Sequence, residues 1–125
     1  MATFATVGFL FAKDKEELLL FSPKLKPKYD DKNLSPYNGY LDLIGDNEGE
    51  DQYHYAESLV DEIKKYPKQE IASHTFSHYY CLESGQNIED FKKDMTAAIA
   101  IAENKGIKLE SLVFPRNQYN KEYLK

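Results

Sequence analysis

A single cysteine, Cys81, stands among the 125 residues, and tryptophan is absent. One thiol cannot close a disulfide within the chain, so no disulfide framework carries the fold. A reducing compartment is compatible with that usage. A basic excess is missing as well: 16 Lys and Arg face 21 Asp and Glu, for a formal net charge of -5. A surface that tracks phosphates needs the opposite balance, which argues against a nucleic-acid partner. Long hydrophobic runs are also lacking. The longest near the start, Val7 to Ala12, has no basic segment before it and is too short to span a bilayer. With no signal peptide or membrane segment visible, the chain as given is expected in the cytoplasm.

What remains is globular. A hydrophobic fraction of 42% with 14% aromatics is enough for one core, and the length fits one domain spanning 1–125. The acidic balance bears on solubility and points to no substrate. Ten tyrosines suit either packing with satisfied hydroxyls or a carbohydrate-facing surface.

The chain alternates strand and helix signals. Thr3 to Ala12 is β-branched and aromatic without alternation, as in a strand buried on both faces. Asp14 to Leu20 reads as a short helix with acidic residues in its first turn. Pro23 to Gly49 is a long polar connection. Ala56, Leu59, Val60 and Ile63 recur at helical spacing in a helix expected from about Gln52 and stopped by Pro67. Gln69 to His74 is a second strand. Asn87 caps the next helix, whose apolar stripe is Ile88, Phe91, Met95, Ala98 and Ala102, and Gly106 sits where a helix-ending glycine belongs. Leu109 to Phe114 is a third strand. The order implies βα units and a parallel sheet or barrel.

The chemistry concentrates where the second strand ends, in Glu70-Ile71-Ala72-Ser73-His74-Thr75-Phe76-Ser77-His78. Two histidines four residues apart can share one face of a helical turn and point at one metal ion. The carboxyl ends of parallel strands are where α/β folds build their sites. Two ordinary polar histidines in a surface turn satisfy the same spacing.

This segment resembles the second motif of the polysaccharide deacetylase family, the NodB-homology domain, which reads Glu-Ile-Gly-x-His-Ser/Thr-x-x-His. Glu70, Ile71, His74, Thr75 and His78 match, with Ala72 in place of glycine. The TFATVGFLF strand, the helix after Asn87 and the strand ending in VFPRNQYN fall where the family's elements are expected. The resemblance implies that His74 and His78 bind a divalent metal, most naturally zinc, together with an Asp. It implies removal of N-acetyl groups from a glycan by metal-activated water. Arg116 and Tyr119 match the Arg and aromatic of the third motif, where the Arg orients the catalytic carboxylate and the Tyr119 amide could stabilise the oxyanion. Glu70 is a candidate to orient a metal-bound histidine. Thr75 and Ser77 are read as holding the turn through local hydrogen bonds.

Two departures qualify these expectations. The third motif is Phe114-Pro115-Arg116-Asn117-Gln118-Tyr119, with Asn and Gln where the family has two prolines. The family's Asp-Asp motif, which supplies base and metal ligand, should precede the TFATVGFLF strand, and later motifs should follow Lys125. Asp30-Asp31 is no substitute, because it follows that strand and lacks an apolar run before it. His54 reads as a solvated residue near a helix start. The expected fold is therefore α/β: a partial, unclosed (β/α) barrel of the NodB type, with about three core parallel strands and flanking helices. A complete barrel of this class takes about 250 residues. Turnover by this chain alone is not expected, and its open sheet edges predict self-association. The alternatives are a non-catalytic module binding carbohydrate or a partner protein, and a two-histidine metal domain completed by oligomerisation.

Overall fold

The computed structural model describes all residues from Met1 to Lys125. Its sheet has two parallel strands, β1 (Ala2–Thr6) and β2 (Gln69–Ser73), paired from Ala2 opposite Gln69 to Thr6 opposite Ser73. The helices are α1 (Lys15–Phe21), α2 (Tyr40–Leu43), α3 (Glu57–Lys64) and α4 (Ile88–Asn104). The architecture is α/β and the sheet is open. No helix is long and apolar enough to cross a membrane.

Two of the strand expectations need correction. The third strand is reduced to one parallel bridge, Ser73 with Leu112, in which the Ser73 amide donates to Ser111 O and the Val113 amide to Ser73 O, each at 2.9 Å. The ladder stops there because Pro115 has no N–H and opens a 3-10 turn over Pro115–Asn117. The first strand ends at Thr6, and Gly8–Phe11 coil into a 3-10 turn instead of extending it. Its residues Ala2 to Ala5 are exposed, not buried on both faces, because only β2 pairs with it.

The helices follow their local chemistry. Asp14 caps α1 by accepting the Glu17 amide at 2.8 Å, and Glu16 and Glu17 sit in the first turn, favourably placed against the helix dipole. Asn87 and Asp90 form a reciprocal capping box on α4. At its other end Gly106 adopts φ +73°, and the Ile107 amide reaches back to Ala102 O while the Gly106 amide reaches Glu103 O. That pair of bonds is a Schellman closure, which needs a left-handed residue at this position. The second helix expectation is shifted: α3 starts at Glu57, not Gln52, because Asp51 accepts the Tyr53 amide in a turn that holds the chain out of helix.

The core lies between α4 and the layer formed by β2, the Gly8–Phe11 turn and α1. Tyr55, Phe11, Phe76, Leu18 and Ile101 are its largest fully buried members. Lys105 joins α1 and α3 to the end of α4 through ion pairs of 2.6 Å with Glu17 and Glu57. A smaller cluster of Tyr79, Cys81 and Phe91 lies under the segment that follows the histidines.

Candidate functional site

The histidine segment leaves the carboxyl end of β2 and is held there by backbone pairing beyond the strands. The His74 amide donates to Thr6 O, the Gly8 amide to Thr75 O and the Phe9 amide to Phe76 O. Gly8 permits this approach: a Cβ there would lie 2.8 Å from Phe76 Cα and 2.5 Å from its ring. The segment is not the helical turn that the spacing suggests. Thr75 and His78 both take left-handed backbone, at φ +63° and +56°. Left-handed conformations of non-glycine residues cost on the order of 1–3 kcal/mol each and persist where surrounding contacts over-determine them.

Those contacts are present. Thr75 is fully buried; its hydroxyl donates to His74 O at 2.6 Å and accepts the Tyr79 amide at 2.7 Å, while its own amide donates to Ser73 Oγ. From α4, Asp94 accepts the Phe76 amide at 2.7 Å and the Ser77 hydroxyl. Thr75 thus shapes the turn and makes no hydrogen bond to either imidazole. Ser77 bonds to a distant carboxylate instead of to its own turn.

The two imidazoles come together, with ring centroids 4.9 Å apart and planes inclined at 65°. His74 Nδ1 lies 2.8 Å from Val113 O. A carbonyl only accepts, so Nδ1 carries the hydrogen and Nε2 of the neutral ring keeps a free lone pair. His78 Nδ1 lies 3.0 Å from Tyr80 Oη, which leaves its Nε2 outside any hydrogen bond. Burial, then the neighbouring His74 and Arg116, push the basicity of His78 below that of an ordinary histidine. A neutral ring held by a partner on its other nitrogen is the usual state of a metal-ligating histidine.

Arg116 and Tyr119 sit on the loop that follows the Leu112 bridge. The Arg116 guanidinium lies over the Tyr80 ring, 4.7 Å from its centroid, and makes no ion pair. Arg116 and Asn117 are both left-handed, at φ +52° and +55°. Tyr119 is half-exposed and tilted against Phe114. Gln118 stands where the motif that this segment resembles has a proline. Its side chain accepts the Leu82 amide and donates to Glu83, and its carbonyl accepts from Cys81 Sγ. A proline in its place would have no side-chain amide for the first two bonds.

Glu70 is not beside the histidines. Its carboxylate accepts from Thr3 at 3.0 Å and Ser111 at 2.5 Å, tying β1 and the 109–113 segment to the amino-terminal half of β2. At about 3.3 Å per residue, four positions along a strand put it well out of reach of His74. Asp31 caps a short 3-10 turn over Lys32–Leu34 by accepting the Asn33 amide. His54 is not merely solvated: it links Asp51 and Tyr40.

Asp94 lies outside every motif, yet the sequence carries a signal for it. It falls on the same helical face as Phe91, Ala98 and Ile101, where an acidic residue interrupts the apolar stripe. A cleft of about 300 Å³ opens beside the pair, lined by Phe9, Pro36, Tyr40, Ser77, His78 and Tyr80. For a divalent metal the two Nε2 atoms are suitable donors, and no third His, Cys, Asp or Glu joins them. Two imidazole nitrogens would supply at most two ligands, fewer than the three protein ligands of a catalytic zinc site. Comparison with family models, with curated proteins and with solved structures gives no match for this chain.

Proposed function

We propose that this chain carries the paired metal-binding imidazoles and part of the substrate groove of a metal-dependent carbohydrate deacetylase acting on an N-acetylated glycan. One observation carries the reading: His74 and His78, in a nine-residue segment that matches the family's second motif at five of its six fixed positions, lie together at the carboxyl end of β2 with their Nε2 atoms outside any hydrogen bond. Zinc bound there would polarise an amide carbonyl and acidify water. The chain's own residues hold and orient. Val113 O and Tyr80 Oη fix the two rings, Asp94 and Thr75 fix the turn, and Arg116 over Tyr80 forms one border. No carboxylate stands beside the histidines to serve as base, so turnover by these residues alone is not expected.

Zinc is expected to raise the melting temperature of the chain, and His74→Ala and His78→Ala each to abolish the rise, as ligand binding to the native state requires. A rise that persists in both variants would place the metal elsewhere. The second reading, a non-catalytic carbohydrate-binding module, is favoured by the rings of Phe9, Tyr40 and Tyr80 around the cleft. It predicts binding of N-acetylglucosamine oligomers that is indifferent to zinc.

The free edge of β1 supports a further part of the proposal, that copies of the chain associate by strand pairing. Ala2 to Ala5 are exposed, Phe4 among them at 40%, and the edge away from β2 has no partner. Sedimentation velocity at rising concentration is expected to show dimers, and Phe4→Lys to shift the population towards monomer. A monomer at every concentration would refute it.

A further inference from the structure

Away from the histidine pair, three side chains stand in the order carboxylate, imidazole, hydroxyl. Asp51 Oδ2 is 2.7 Å from His54 Nδ1, and His54 Nε2 is 2.5 Å from Tyr40 Oη. Asp51 is held in place by the Gly45 amide at 3.0 Å and the Tyr53 amide at 3.1 Å. The Gly45 bond and then the His54 contact keep its carboxyl below the usual range, so it is an acceptor only. His54 Nδ1 must then carry the hydrogen, and Nε2 is left to accept from the Tyr40 phenol. We propose that Asp51, His54 and Tyr40 form a nucleophilic site in which the Tyr40 oxygen attacks small activated acyl esters.

The arrangement meets the requirements of an activated nucleophile: a base within hydrogen-bond reach and a third group that orients the base. Access is available, since Tyr40 is 47% exposed and lines the cleft with Phe9, Leu34 and Pro36, an apolar wall for a short acyl chain. In the forward step Tyr40 Oη bonds to the ester carbonyl carbon, the phenolic proton passes to His54 Nε2, and the leaving alkoxide or phenolate departs with the electron pair of the broken C–O bond and takes that proton from His54, which returns to the neutral base. The product is an aryl ester on Tyr40. Water then hydrolyses it, releasing the carboxylic acid and restoring the phenol. Nothing in this sequence involves His74 or His78, so the proposal stands whether or not those residues bind metal.

A mere structural pin between α2 and the 51–54 turn would show the same hydrogen bonds but no special reactivity. The test is p-nitrophenyl acetate with the intact chain, following p-nitrophenolate release and locating acetyl groups by peptide mass. Tyr40 is expected to be acetylated ahead of Tyr53, although Tyr53 is 92% exposed, and ahead of Tyr66 at 59%. His54→Ala is expected to slow labelling of Tyr40 about a hundredfold, the usual scale of general-base assistance, and free imidazole to restore part of it. Labelling of Tyr40 no faster than Tyr53 in the unmodified chain would overturn the proposal, and that comparison does not depend on a variant folding. So would an unchanged rate in His54→Ala.

Discussion

Replacing Asp94 by alanine is expected to lower the unfolding free energy by about 3–5 kcal/mol, measurable by urea denaturation. The side chain is fully buried on α4 and accepts the Phe76 amide and the Ser77 hydroxyl. Alanine leaves both donors without a partner in a dry site, at about 1–3 kcal/mol each, and opens a cavity besides. The same residue sets a pH dependence. Burial pushes the Asp94 carboxyl up to about 6, against the opposing bonds from Ser77 and Phe76. Because the folded state holds the proton more tightly than the unfolded chain, this group favours folding most below about pH 4. Its contribution falls as pH rises and is lost above about pH 6. A difference of about two pKa units corresponds to about 3 kcal/mol. Asp94→Asn should flatten stability between pH 4 and 6 while costing less than alanine, since its amide oxygen still accepts. A stability profile in the asparagine variant as steep as the parent's would contradict this assignment.

Gly85→Ala is expected to be nearly as costly, at about 3 kcal/mol, and to act on the site from a distance. Gly85 has φ +96°, which alanine does not adopt without strain. An added Cβ would also press into the carbonyl oxygen of Lys28 and stand 2.7 Å from the Asp30 nitrogen. Overlap of that kind typically costs about 1–3 kcal/mol beyond the backbone strain. The contact matters because it joins the 28–30 segment to the chain after His78. There the Asp30 amide donates to Ser84 O, and the buried Tyr29 hydroxyl accepts the Tyr80 amide at 2.9 Å. Separating the two segments frees Tyr80, the partner of His78 Nδ1 and the platform under Arg116. Urea denaturation should register the loss, and zinc affinity should fall with it. Zinc affinity equal to the parent's would show that Tyr80 does not depend on this contact.

The parts of the fold legible in the sequence are those whose signals are local. The short first helix, the Asn87 cap of α4, the closing Gly106 and the second strand all follow from residues within a few positions of each other. Thr3 to Ala12 is β-branched and aromatic without alternation, and periodicity does not tell where such a run stops extending. It stops at Gly8, where the backbone must approach Phe76, a contact far away in sequence. The third strand failed for a related reason: its composition is strand-like, but Pro115 and the turn it opens leave room for only one bridge.

The histidine spacing located a convergent pair but implied the wrong backbone. Two left-handed residues, Thr75 and His78, bring the rings together where a helical turn was expected. Neither is glycine or asparagine, so composition gives no warning. The motif associates Glu70 with the histidines, yet strand geometry carries it away from them and into bonds with Thr3 and Ser111. The His54 links are not legible in the sequence, because Tyr40 lies in the long 23–49 connection and Asp51 just after it, where sequence gives no pairing rule.

Calorimetric titration of the chain with zinc tests the central claim most directly, run beside His74→Ala and His78→Ala. The account predicts one zinc per chain, bound through both imidazoles and lost in each variant. With only two protein ligands, its affinity should lie below that of four-ligand structural zinc sites. No heat with the parent chain, or undiminished binding in both variants, would show that the paired rings are not a metal site, and the deacetylase reading would lose the observation that carries it.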